Sequence, residues 1–205
     1  MIAPRNHIKV FVASTVHNFE FQLGKIYELL DNYGYDVFIS HKGTLPLDSR
    51  VSNLTNCLEA VNKCDVFLGF IRPDYGSGVL DDKGKSIVHQ EFETAFQRNI
   101  PRFVLADYRV VFTRLLFKGS YCIKEMTAKK IDFADILFAN TKVMDTRCVR
   151  MYNEAIKDNE KPESKRTGNW VQEYFDLEDI RLHLDSQFGF PDRIRKLITN
   201  STGKK

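Results

Sequence analysis

Asp65-Val-Phe-Leu-Gly-Phe-Ile71 runs almost without a break through apolar residues and stops at Arg72-Pro73-Asp74. A run of this length and composition reads as a buried strand. Before it, Val51 to Lys63 sets Leu54, Cys57, Leu58 and Val61 on one face of a helix. After it comes a loop (RPDYGSGVLDDKGK), and then Lys85-Ser-Ile-Val-His-Gln-Glu-Phe-Glu-Thr-Ala-Phe96 returns to helical spacing, with Ile87, Val88, Phe92, Ala95 and Phe96 in one stripe. Pro101 to Ala106 (PRFVLA) is the next strand. Toward the start of the chain, His7 to Ala13 (HIKVFVA) and Tyr35 to Ser40 (YDVFIS) read as strands. Between them Asn18 to Tyr33 carries Phe19, Leu23, Ile26, Tyr27 and Leu30 at helical spacing, with Asn18 or Thr15 available as a cap. This βαβαβαβ order predicts an α/β protein: a parallel sheet of four to five strands with helices on both faces.

The second half is less regular. Residues 108–126, 141–157 and 175–188 have helical character, separated by the polar stretch Lys157 to Gly168. The reading is an α/β core over 1–110, a helical appendage over 111–198 that completes the same domain, and a flexible tail over 199–205.

Composition narrows the function. A net charge of +3 with no basic cluster gives no argument for nucleic acid or a membrane surface as partner. No apolar run reaches membrane-spanning length and no signal peptide opens the chain, so the expected location is cytoplasmic. The four cysteines, at 57, 64, 122 and 148, form no CxxC pair, and Cys57 and Cys64 read as small buried hydrophobes. The five histidines show no HExxH or other ligand spacing, so no metal is expected.

In open parallel sheets ligands bind outside the carboxyl ends of the strands. Those ends hold Ser14-Thr15, Ser40-His41-Lys42-Gly43, Arg72-Pro73-Asp74-Tyr75-Gly76 and Asp107. Candidate substrate-binding residues are therefore Ser14, Thr15, His41, Lys42, Arg72, Tyr75, Gly76 and Ser77. In this reading Tyr75 stacks on a flat ring, Ser77 donates a hydrogen bond, and His41 and Lys42 meet phosphate or carboxylate groups. Gly78-Val-Leu-Asp-Asp-Lys-Gly-Lys-Ser86 resembles a P-loop at a glance. It has five residues between the glycines where that motif needs four, and Asp81 and Asp82 would repel a phosphate. No G-x-S-x-G elbow appears, and no G-x-G-x-x-G follows the first strand, so no Rossmann-type cofactor is expected.

One glutamate of the 85–96 helix is out of place. At about 100° per residue, Glu93 points away from the apolar stripe with Gln90 and Gln97, whereas Glu91 falls inside its edge, between Ile87 and Ala95. Two readings stand side by side. Glu91 is either a buried carboxylate paired to a lysine, an arginine or a backbone amide, or a catalytic carboxylate with a raised pKa. No second carboxylate stands at a fixed spacing from it, so a two-acid glycosidase is not indicated. One carboxylate suffices when the leaving group departs easily, as nicotinamide does from the cationic ring of NAD.

Val10-Phe-Val-Ala-Ser-Thr15, Asn56-Cys-Leu-Glu-Ala-Val-Asn-Lys-Cys-Asp-Val-Phe-Leu-Gly69, Tyr75-Gly-Ser-Gly78 and Ser86-Ile-Val-His-Gln-Glu-Phe-Glu-Thr-Ala95 follow one another in an order that resembles a bacterial TIR-like family of unknown function, related to TIR domains and nucleoside deoxyribosyltransferases. The resemblance spans about residues 7–107, and Thr167-Gly-Asn-Trp-Val-Gln172 is similar to an element of a subgroup. It implies a flavodoxin-like sheet, NAD or a related nucleotide as substrate rather than cofactor, a homo-oligomer, and a role in antiviral defence. By position Glu91 matches the family's catalytic glutamate, and Ser86 the serine at the helix start. The tryptophan-cysteine pair usual in TIR enzymes is His89-Gln90 here, and Trp170 is the candidate for the missing aromatic surface.

Three functions follow from these readings. The first is an enzyme that cleaves the nicotinamide–ribose bond of NAD, by hydrolysis or to make an ADP-ribose-derived signal. The second is a non-catalytic TIR-like module for ligand sensing or assembly. The third is a nucleoside deoxyribosyltransferase, disfavoured because Lys85-Ser-Ile-Val-His-Gln90 lacks the acidic, glycine-rich approach usual in those enzymes. A chain that is almost all domain is expected to work with a separately encoded effector or sensor.

Overall fold

Lys9–Ala13 (β1), Asp36–Phe38 (β2), Val66–Ile71 (β3), Arg102–Asp107 (β4) and Val171–Tyr174 (β5) form one sheet in the order β2-β1-β3-β4-β5. Every pairing is parallel, with Lys9 beside Asp36, Val10 beside Val66, Phe67 beside Arg102 and Val104 beside Val171. The computed structural model describes residues 7–76, 78, 84–98, 100–120, 143–156, 162–165 and 170–202. The order runs outward in both directions from the β1/β3 pair, the arrangement that opens a crevice at the carboxyl ends of those two strands.

β3 explains the layering. All six of its residues are buried, and they alternate between two cores as strand geometry requires. Phe67 and Ile71 join Phe11, Ala13, Val104 and Ala106 on one face. There they pack against Asn53–Lys63 (α2), Ile87–Gln97 (α3) and Arg147–Ile156 (α5) through Val61, Phe92 and Val149. Val66, Leu68 and Phe70 face the other way with Val10, Val12 and Leu105. That face meets Glu20–Asn32 (α1), Leu177–Phe188 (α6) and Pro191–Thr202 (α7) through Leu23, Leu184 and Ile194. A helix spanning Tyr108–Ser120 (α4) follows β4. Fully burying each of these large apolar side chains stabilises the fold by about 1.5–3 kcal/mol before conformational entropy is counted.

Gly69 sets how closely α3 lies on the sheet. A Cβ there would fall 2.4 Å from Cζ of Phe92 and 2.8 Å from Cε1 of Phe67. Without it, the Phe92 ring sits edge-on to Phe67, with centroids 5.1 Å apart. A glycine inside a strand often marks such a close approach. Ser86 starts α3 by accepting the His89 amide at 3.2 Å, and Ser52 caps α2 through the Thr55 amide at 3.1 Å.

The second half supplies more than helices. β5 lies within the stretch around Trp170 and adds the fifth strand at the sheet edge. Its four residues, VQEY, bury only Tyr174 fully, which is why they carry little strand pattern. The expected tail is also shorter. Residues 199–202 continue α7, which Pro191 opens with its preset φ, while 203–205 lie outside the described residues. The helices expected over 108–126 and 141–157 are present as α4 and α5, and 121–142 lie outside the described residues. Among the described residues no helix is long and apolar enough to cross a membrane.

Candidate active site

A cleft of about 600 Å³ opens at the carboxyl ends of β1 and β3, where the strand order places a crevice. One wall is Ser14, Thr15 and His17, which follow β1, and Asp74 and Gly76, which follow β3. The other is apolar, with Leu45, Leu47, Ile87 and Val88. Glu91 of α3 and Cys57 of α2 also line it.

Glu91 is 5% exposed. Burial pushes its carboxyl up to about 8, and a hydrogen bond with the Cys57 thiol pulls modestly the other way. Burial raises the Cys57 thiol to about 12, and the neighbouring Glu91 charge adds to that. Among the described residues no lysine or arginine forms an ion pair with Glu91. α3 places it there by the same periodicity that buries Phe92 and Ala95.

The residues expected to bind substrate divide into two groups. Ser14, Thr15 and Gly76 line the cleft with Glu91. Gly76 has φ +87°, and a Cβ there would meet Cγ2 of Thr15 at 2.8 Å, so both the turn and the close approach call for glycine. The side chains of the second group are engaged elsewhere. Arg72 turns inward, donating to the carbonyls of Thr15 at 3.0 Å and His17 at 2.9 Å and to Oγ1 of Thr15 at 3.0 Å, with its guanidinium 4.5 Å from the Phe19 ring centre. It ties the end of β3 to the loop after β1 rather than facing a ligand. Tyr75 is buried, with its hydroxyl on Nδ1 of His89 and the Arg147 guanidinium over its ring, so no face is left for stacking on a ligand. Ser86 is fully buried as the α3 cap.

His41 and Lys42 sit in a short 3-10 turn. Their neighbours Ser40 and Gly43 reach the cleft, whereas their own side chains do not line it. Lys42 instead lies over α1, with Nζ 3.3 Å from where a Cβ of Gly24 would stand. Trp170 is 78% exposed just before β5, with its indole donating to Gln172, and it does not line the cleft. The parallel sheet explains this, because a residue preceding β5 lies toward the amino ends of the strands. Ser77 lies outside the described residues.

Three contributors escaped sequence reasoning. Cys57 was legible only as one of the apolar positions of α2, and its contact with Glu91 depends on how α2 packs beside α3. Leu45 and Leu47 lie in a connection whose placement no periodicity reports. The surroundings of His89 come from two distant parts of the chain. Its Nδ1 meets Tyr75, and its Nε2 lies 2.6 Å from Oε2 of Glu154 on α5. Burial pushes Glu154 up, but the hydrogen bonds and charges of His89 and Arg150 outweigh it and hold the carboxyl below its ordinary value. Together with Glu93, these groups are the described residues able to hold a metal ion: one ligand atom from each of His89, Glu93 and Glu154 lies within 4.8 Å of the others.

Comparison with curated proteins and with solved structures found no match to this chain. Residues 9–188 match the family described as "Domain of unknown function (DUF4062)", a span that includes all five strands and every described residue of the cleft. The chain belongs to that family.

Proposed function

We propose that the cleft binds an N-riboside, NAD or a related nucleotide, and that Glu91 assists cleavage of its N-glycosidic bond. The observation that carries this reading is a buried carboxylate at a 600 Å³ cleft that, among the described residues, has no lysine or arginine paired to it. An isolated buried carboxylate is costly to ionise, and a positively charged ligand removes that cost. The ribosyl–nicotinamide bond of NAD breaks with positive charge on the sugar and releases a neutral base. A carboxylate in a water-poor site stabilises that developing charge or attacks the anomeric carbon directly. Asp74, the other carboxylate lining the cleft among the described residues, accepts the Gly76 amide at 2.9 Å and shapes the loop. The apolar wall of Leu45, Leu47, Ile87 and Val88 suits the flat face of a base, and Ser14 and Thr15 suit the ribose hydroxyls. The resemblance to TIR enzymes, which use a glutamate at this position, points the same way.

The test is NAD incubated with the protein and with Glu91→Gln, read by chromatography with mass detection. Release of nicotinamide by the wild type alone is the expected result. Intact NAD in both samples at high protein concentration would sink the proposal for this substrate.

A second reading, an assembly module, has one observation in its favour. α4 exposes Phe112, Leu115 and Leu116, and Phe175 and Trp170 flank β5 with large exposed side chains. Sedimentation over a range of concentrations, beside Leu115→Glu, tests for self-association through this face.

A further inference from the structure

We propose that His89, Glu93 and Glu154 form a site for a divalent transition cation, zinc fitting best, that braces α3 against α5 on the side of α3 away from the cleft. This inference is independent of the proposed catalytic function. His89 and Glu93 stand four residues apart, in one column of α3, and Glu154 reaches across from α5. Glu91 belongs to the other column, with Ile87, and it is that column which meets the cleft. The ion is therefore structural and does not touch substrate.

The donor set suits the ion. One imidazole nitrogen and two carboxylate oxygens are common zinc ligands, and a fourth position is left for water. The three ligand atoms already lie within 4.8 Å of one another. A tetrahedral ion with bonds of about 2.0–2.1 Å holds its ligand atoms about 3.3 Å apart. Small carboxylate rotations close that difference, and the 2.6 Å contact between His89 Nε2 and Glu154 opens by less than about 1 Å. A metal-binding histidine usually has its other nitrogen fixed by a hydrogen bond. Here the Tyr75 hydroxyl fixes Nδ1 and aims Nε2 at both carboxylates. On loading, Nε2 offers its lone pair, the imidazole proton resides on Nδ1, and the Tyr75 oxygen accepts it.

Two cations already offset the carboxylate charges. Lys85 sits on Oε1 of Glu93, and Arg150 donates to Oε1 of Glu154 at 2.9 Å. Each carboxylate has a second oxygen, so the metal need not displace either cation. The side chains of Glu93 and Glu154 are 34% and 31% exposed, which leaves the ion a route in from solvent.

The experiment is calorimetric titration of the chelator-treated full chain with zinc alone, with melting temperature as a second readout. One zinc per chain, a Kd on the order of a micromolar or tighter, and a rise in Tm are expected. Glu93→Gln and Glu154→Gln should each weaken binding at least about tenfold. Equal uptake by wild type and Glu93→Gln would assign the zinc to other surface groups and overturn the site. Absence of uptake by the wild type would also overturn the site. Should Glu154→Gln fail to fold, Glu93→Gln decides alone, because its position is partly exposed and the change is nearly isosteric.

Discussion

Cys57 of α2 and Glu91 of α3 face the same cleft as neighbours, and among the described residues this neutral thiol, not a cation, is the side chain that acts on the buried carboxyl. The arrangement leaves Glu91 desolvated at a cleft open to ligands. It also means that the native fold carries a destabilising group at the site where the proposed chemistry needs it.

Glu91→Gln should therefore separate stability from activity. The substitution keeps the shape and removes the burial of an ionisable group. NAD cleavage should fall by about a hundred- to a thousandfold or more. The melting temperature at neutral pH should rise, by about 2–4 °C for each kcal/mol recovered in a domain of this size. A Gln variant that melts lower than the wild type would show that Glu91 stabilises the fold through a partner.

Gly69→Ala tests the packing that holds α3 in place. With 2.4 Å between the new Cβ and the Phe92 ring, the helix or the ring must shift, at a cost of about 1–3 kcal/mol. Because Glu91 precedes Phe92, activity should fall together with stability. The double variant Gly69→Ala with Phe92→Leu should be more stable than the sum of the single effects, by about 0.5–3 kcal/mol in a double-mutant cycle. Simple additivity in denaturant melts would mean that the ring is not what excludes the methyl group.

The parallel core was legible because each of its segments has one strong period: continuous apolar character in Val66 to Ile71, and a 3.6-residue stripe in α1, α2 and α3. Glu91 was legible for the same reason, since a charge inside such a stripe breaks the pattern. What escaped depended on contacts between distant segments. Arg72 and Tyr75 lie on the correct edge, but nothing in their sequence says that Arg72 folds back onto the Thr15 and His17 carbonyls or that Tyr75 turns toward His89. Trp170 looked available to the site because its position relative to β5 is fixed by a strand only four residues long. Glu154 meets His89 from 65 positions away, beyond the reach of any local spacing rule.

Arg72→Lys should act on stability before it acts on substrate. The guanidinium bonds two backbone carbonyls and a threonine hydroxyl at once and lies over Phe19, whereas an ammonium has neither the fork nor the flat face. Loss of these charged hydrogen bonds should lower stability by about 2–4 kcal/mol, with the loop after β1 showing the largest gain in amide hydrogen exchange. A variant with wild-type stability and a raised KM would return Arg72 to the role of a direct ligand.

His183 gives the fold an acid sensitivity remote from the cleft. Its ring packs beside Phe103, and Nε2 is buried without a hydrogen-bond partner among the described residues. Burial lowers its pKa below the ordinary histidine value, so the unfolded chain binds the proton more readily than the folded one. Stability from this residue is complete above the unfolded pKa of about 6.5 and declines as pH falls through that value toward the lower folded one. His183→Leu removes the titrating group and keeps an apolar side chain against Phe103. Its melting temperature should drop less than that of the wild type between pH 7.5 and pH 5.5, two conditions chosen to straddle the ordinary histidine range of about 6.5. Parallel pH profiles for the two proteins would show instead that the acid response of the fold comes from other groups.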